Sequence, residues 1–128
     1  MRNPKRPLSP HLGVYRWQPH MLVSILHRMT GSALAVGALI FVWGLVAAAT
    51  GPEAFAVFAS VLGHPVGVVV MIGVTWALMQ HLASGLRHLY MDTGKGFALG
   101  ASRNTALATL AFSVLATALI WALICGII

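Results

Sequence analysis

Charged residues divide the chain into a polar N-terminal segment and three long stretches that contain no Asp, Glu, Lys or Arg. A helix needs about 20 predominantly apolar residues to cross the hydrocarbon core of a bilayer. Backbone groups in lipid must find their hydrogen-bond partners within the segment, which favours helices. The pattern therefore predicts an all-α integral membrane protein with helices over residues 21–49, 65–90 and 103–127.

Breakers and charges set the expected limits of these helices. The first helix can begin before Arg28, because an arginine near the interface can extend its head group to water, and Gly51 and Pro52 should end it. The loop that follows has room for a short surface helix. Residues 1–20 are basic and interrupted by proline, which predicts a surface arm ahead of a transmembrane domain over residues 21–128. Because these residues lack the apolar run of a signal peptide, the first membrane segment should remain in the mature protein.

The composition excludes a water-soluble globule. Hydrophobic residues make up 59% of the chain and charged residues 8%, against about 25% charged in a typical soluble domain. The net charge of +6 could indicate nucleic acid, but the basic residues lie mostly at the ends of apolar runs. This placement favours a topology signal, with no nucleic-acid partner.

The distribution of basic residues predicts the orientation. They lie in the arm and in the second loop, and the first loop has none; the seven are Arg2, Lys5, Arg6, Arg16, Arg87, Lys95 and Arg103. By the positive-inside rule, the N-terminus and the second loop should face the cytoplasm or the mitochondrial matrix.

Candidate chemistry is limited to a few residue types. The chain has no nucleophile–base pair, no carboxylate pair and no phosphate-binding loop, so hydrolysis and group transfer are not indicated. One cysteine, Cys125, permits neither an intrachain disulfide nor a C-x-x-C-H haem attachment. Metal or haem chemistry must depend on the six histidines. Of these, His11, His20 and His64 lie in or beside loops and are expected to be structural.

Two groups of polar residues should meet at the cytoplasmic side. In the first helix, Ser24 and Arg28 are four residues apart and share a face, with His27 about 100° away from Arg28. Such a hydroxyl and guanidinium could bind a quinone carbonyl or a carboxylate. Alternatively, Ser24 is an ordinary residue of the first helical turns and Arg28 anchors a lipid head group.

The second helix carries His81, Ser84 and His88 along one stripe near its end. His81 lies about 9 Å deeper than Arg87, a position suited to a histidine that binds haem iron. Arg87 and His88 could then meet the haem propionates. Alternatively, His81 only forms a hydrogen bond to a neighbouring helix.

Three segments resemble the cytochrome b subunits of succinate dehydrogenase, the respiratory complex II. They are RPLSPHLGVYRW in the arm, SILHRMTGSAL at the start of the first helix and HLASGLRHLYMD at the end of the second. The S-x-x-H-R-x-T/S-G and H-x-x-x-G-[IL]-R-H-[LM]-x-x-D signatures of that family both occur, in order. With three helices, the resemblance covers essentially the whole chain.

The resemblance implies a membrane anchor that packs with a second anchor subunit into a haem-binding bundle. His81 corresponds to an axial ligand of haem b, and Ser24 and Arg28 correspond to residues of the ubiquinone site. Arg28, His27 and His88 correspond to positions near the haem propionates. The implied partners are the second anchor, an iron–sulfur subunit and a flavoprotein subunit, in the bacterial or mitochondrial inner membrane. Two other hypotheses are a haem-binding electron carrier outside complex II and a structural membrane protein without haem.

Overall fold

A computed structural model describes residues 7, 9, 11, 13–14 and 16–126, and this part of the chain is helical. Its four helices are α1 (Pro19–Thr50), α2 (Pro52–Gly63), α3 (Pro65–Asp92) and α4 (Leu99–Ile124). The helices α1, α3 and α4 are long and apolar enough to cross a membrane. The prediction of an all-α protein with three membrane-spanning helices is thus confirmed. Most of the predicted arm over residues 1–20 lies outside the described residues.

Proline and glycine set most of the helix ends. The helices α1, α2 and α3 each begin with a proline in the first turn, where a missing N–H costs no intrahelical hydrogen bond. Gly51 separates α1 from α2 with φ of 138°, a value that favours glycine. His64 caps α3, because its Nδ1 accepts a hydrogen bond from the Val66 backbone N–H at 3.3 Å.

A short helix is present in the first loop, as expected; it is α2, and it packs against α1 and α3. The Phe58 ring contacts Trp43 edge-on, with 4.9 Å between the ring centroids. A Cβ on Gly44 would lie 2.7 Å from the tip of the Phe58 ring, so the glycine is needed for this close approach. The contact fixes α2 beneath the ends of α1 and α3.

The last helix begins four residues earlier than the predicted residue 103, at Leu99. The start was predicted at residue 103 because Arg103 marks the edge of the apolar stretch. A helix does not have to begin where the charge-free stretch begins, because a charged residue such as Arg103 can lie within the helix and extend to the interface. The remaining ends of the three long helices fall within three residues of the predicted positions.

Helix α3 packs against both α1 and α4, which also contact each other, and it runs antiparallel to both. Residues early in α1 contact residues late in α3, as the stacking of His27 on His81 demonstrates. Arg87, late in α3, forms hydrogen bonds with Ser102 and Thr105, early in α4. The first turns of α1, the last turns of α3 and the first turns of α4 therefore share one end of the bundle, called here the inner end.

The helices bury small and polar side chains and leave large apolar ones outside. Val23 and Ala106 are fully buried, whereas Leu39, Val69 and Leu115 are each more than 60% exposed. In water such an exposed apolar surface would aggregate. The arrangement requires lipid or other membrane helices around the bundle.

Candidate functional site

Three histidines from two helices meet at the inner end of the bundle. The rings of His27 and His81 stack, with 4.0 Å between their centroids and 11° between their planes. The His88 ring lies 5.2 Å from that of His27 and is tilted by 57°. The sequence predicted that polar groups of the first and second spans would converge, and the structure brings His27 into contact with the whole stripe of His81, Ser84 and His88. We call these four residues the histidine cluster.

Hydrogen bonds across the α1–α3 interface fix the histidine cluster. His27 Nδ1 lies 2.7 Å from Ser84 Oγ, and Ser84 donates its hydroxyl proton to the Gln80 carbonyl oxygen at 2.7 Å. A hydroxyl has one proton, so the His27 ring donates to Ser84. The Nδ1 atom of His81 lies 3.1 Å from the His27 carbonyl oxygen and 3.3 Å from Thr30 Oγ1.

Each of the two helices places a glycine against the histidine of the other. A Cβ on Gly31 of α1 would lie 3.1 Å from Cε1 of His81, and a Cβ on Gly85 of α3 would lie 3.7 Å from Cε1 of His27. Glycines at such positions let membrane helices approach closely. Both glycines belong to the sequence signatures, but their spatial relation to the histidines required the packed structure.

The donor set fits a haem that is bound through an imidazole. None of the residues that the structure describes forms a hydrogen bond with Nε2 of His81. The ring is half-buried, so this nitrogen can be reached from outside the chain. Histidine, held by a second hydrogen bond through its other nitrogen, is a common haem ligand.

The side chains of Ser24 and Arg28 share a face of α1 but form no hydrogen bond within the described part of the chain. Ser24 is half-buried and Arg28 is exposed. The Arg28 guanidinium, which has five N–H donors, is therefore available to a ligand or to a partner subunit. The neighbouring residue His27 belongs to the histidine cluster, so this face adjoins it.

Arg87 occupies a different place from the one expected beside His88. It is 8% exposed, and its guanidinium donates to Thr105 Oγ1 at 3.1 Å and to Ser102 Oγ at 2.9 Å in α4. Adjacent residues of a helix point about 100° apart, so His88 can face α1 while Arg87 faces α4. The interpretation of Arg87 as a haem-propionate residue is not supported by this geometry.

Several buried polar residues of α3 and α4 were not predicted from the sequence. Three buried hydroxyl residues follow one another at intervals of four, namely Thr109, Ser113 and Thr117. That spacing was visible, but each hydroxyl forms its hydrogen bond with a carbonyl of its own helix. Gln80 is fully buried, and neither amide atom has a partner among the described residues.

Comparison with known proteins gives one consistent result. A family model described as the succinate dehydrogenase/fumarate reductase transmembrane subunit matches residues 2–120. The succinate dehydrogenase cytochrome b556 subunit of Paracoccus denitrificans is 44% identical over 109 residues, which cover 85% of this chain and 84% of the relative. The subunit of the same name from Rickettsia felis is 37% identical over 117 residues, or 91% of each chain. The mitochondrial cytochrome b560 subunit of Sus scrofa is 37% identical over 117 residues, covering 88% of this chain and 68% of the relative.

Proposed function

This chain belongs to the family of succinate dehydrogenase/fumarate reductase transmembrane subunits, and we propose that it is the cytochrome b membrane anchor of a succinate dehydrogenase. In this function it holds a b-type haem together with a second anchor subunit and forms part of a ubiquinone-reduction site. The proposal rests on the histidine cluster, which places three imidazoles together at the inner end of a bundle of three long apolar helices.

His81 is the proposed axial ligand of the haem iron on this chain. Its free Nε2 and its half-buried position support this assignment. A residue of the partner anchor would hold the haem together with His81. His27 and His88, together with Arg28, would bind the propionates, since a charged donor and an anionic oxygen form strong hydrogen bonds. The haem, when bound, supplies a one-electron redox centre.

Ser24 and Arg28 are the proposed contribution of this chain to the quinone site. A flavoprotein subunit oxidises succinate to fumarate, and iron–sulfur clusters pass the two electrons to ubiquinone, which takes up two protons to become ubiquinol. The exposed Arg28 guanidinium would donate to a quinone carbonyl and stabilise the negative charge that develops there. Ser24 would donate a second, weaker hydrogen bond. Both act by positioning and electrostatics, while the redox chemistry belongs to the cofactors.

The assignment of His81 is tested with the variant His81→Ala in the assembled complex. We expect loss of the haem b band in a reduced-minus-oxidised spectrum, with the membrane helices and the complex retained. His64→Asn is the matched control, because it removes the imidazole at the opposite end of α3 but keeps a side chain able to cap that helix. An unchanged haem content and midpoint potential in His81→Ala would show that His81 is not a haem ligand.

We also propose that the inner end of the bundle faces the cytoplasm, or the matrix in mitochondria. The seven basic residues of the arm and the second loop support this orientation. A Lys95→Cys variant on a Cys125→Ser background should react with an impermeant thiol reagent only from the cytoplasmic side. In the protein that keeps its native cysteine, the exposed Cys125 beyond α4 should react from the opposite side, and this second protein provides the comparison. Labelling of residue 95 from the outer side would show that the chain has the opposite orientation.

A further inference from the structure

We propose that Thr30 and Gly31 are positioning residues for His81: Thr30 reinforces the tautomer in which Nε2 is presented to the haem, and Gly31 sets the orientation of the ring. This inference deepens the function proposed above and depends on it. Both residues belong to α1 and act on His81 of α3, so neither has to contact the haem.

The tautomer of His81 follows from its hydrogen-bond partners. Its Nδ1 lies 3.1 Å from the backbone carbonyl oxygen of His27, and a carbonyl oxygen can only accept a hydrogen bond. Nδ1 must therefore carry the proton. In a neutral imidazole the lone pair is then on Nε2, and a metal ligand requires that lone pair.

Thr30 supplies a second acceptor for the same proton. The residue is 3% exposed, and its hydroxyl donates to the Leu26 carbonyl oxygen at 2.7 Å. With its only proton directed along α1, Oγ1 presents lone pairs to His81 Nδ1 at 3.3 Å. A hydrogen-bond acceptor at the ring nitrogen that does not bind the metal makes an imidazole a stronger electron donor to that metal. Thr30 should therefore stabilise the ferric state of the haem iron.

Gly31 leaves the space that the His81 ring occupies. A Cβ at this position would lie 3.1 Å from Cε1 of His81, which is closer than ordinary van der Waals contact. An added methyl group would push the ring and redirect Nε2, because one face of the ring is already covered by the stacked ring of His27 and the ring has little room to move. Gly85 provides a matched control for Gly31. A Cβ added at Gly85 would lie 3.7 Å from the His27 ring, so an alanine should fit there.

The test uses four single variants in the assembled, haem-loaded complex: Thr30→Val, Thr30→Ser, Gly31→Ala and Gly85→Ala. Haem content, the haem midpoint potential and the low-spin ferric EPR spectrum are measured for each. Thr30→Val should retain haem and raise the midpoint potential, because the imidazole loses an acceptor, and Thr30→Ser should restore the wild-type value. Gly31→Ala should shift the EPR g values and lower haem content, whereas Gly85→Ala should leave both unchanged.

The result separates this inference from the proposed function. If His81→Ala loses haem while Thr30→Val and Gly31→Ala keep wild-type potentials and spectra, the positioning role is wrong and the ligand assignment stands. If His81→Ala keeps its haem, the ligand assignment itself fails. Should Gly31→Ala fail to assemble, the Val and Ser variants of Thr30 decide the matter, and a potential that serine does not restore overturns the role of the hydroxyl.

Discussion

Helix α3 has two polar interfaces, one with α4 and one with α1. They differ in whether the polar side chains find all their hydrogen-bond partners within this chain. Towards α4, Arg87 is buried and donates to two hydroxyl residues. Towards α1, His81 retains a free nitrogen, and the adjoining Arg28 is exposed without a polar partner in the described part of the chain. Polar groups in a membrane helix are costly unless they are paired. Polar side chains that are fully paired within the chain therefore indicate a structural role. Polar side chains that still have a free donor or acceptor indicate a role in binding a ligand or a partner.

The largest effect should come from the unpaired arginine. Replacing Arg28 with leucine should lower succinate:ubiquinone activity by about 10- to 150-fold, since a hydrogen bond to a charged group contributes about 1.5–3 kcal/mol. Ser24→Ala should cost less, about 2- to 12-fold, because a neutral hydrogen bond contributes about 0.5–1.5 kcal/mol. Activity is measured with ubiquinone and, separately, with a soluble artificial acceptor, which should remain near the wild-type rate.

Arg103→Leu is the control for this pair, because it removes another exposed arginine from the inner end of the bundle. Haem content is measured alongside, since Arg28 is also proposed to bind a propionate. If both Arg28→Leu and Ser24→Ala kept full quinone reductase rates at full assembly, these residues would not belong to the quinone site.

A smaller effect, on stability alone, is expected at the α3–α4 interface. Thr105→Val removes the acceptor of Arg87 Nε and leaves a buried charged donor short of a partner, at a cost of about 1–3 kcal/mol. Thermal unfolding of the detergent-solubilised complex should shift downwards, while quinone turnover per assembled complex stays the same. Thr109→Val, one turn away, is the matched control, because that hydroxyl bonds only to its own helix. Equal shifts in the two variants would show that the Arg87 contact adds nothing.

The smallest effect is expected at Gln80, which fits neither class. Its amide is fully buried and has no hydrogen-bond partner among the described residues, and an unpaired buried amide costs about 1–3 kcal/mol. Gln80→Met should therefore raise the unfolding temperature slightly, whereas Gln18→Met, at an exposed glutamine, should not change it. A lower unfolding temperature in Gln80→Met would reveal a partner for the amide and place Gln80 with the completed pairs.

The long apolar stretches were sufficient to predict the fold, because lipid restricts a spanning segment to a helix. Gly51 and Pro52 indicated the end of the first helix. The start of α4 differed most from its predicted position, since the charged Arg103 lies inside the helix and not at its start. The histidine cluster was partly predictable because His81, Ser84 and His88 lie on one stripe. The direction of Arg87 was not predictable, because the sequence alone does not tell which face of a helix meets which neighbour. The buried hydroxyls of α4 were missed for a related reason, since serine and threonine in a helix bond to their own backbone and resemble apolar residues in a hydropathy pattern.

The close approach of Gly31 to the His81 ring has an evolutionary consequence. It links two positions fifty residues apart in the sequence, so the identity of one limits which substitutions natural selection can accept at the other. In lineages that retain the histidine, position 31 should admit only glycine. In lineages that have replaced the histidine with a smaller residue, position 31 becomes free to acquire a side chain, and the two changes should appear together on the branches of the family tree.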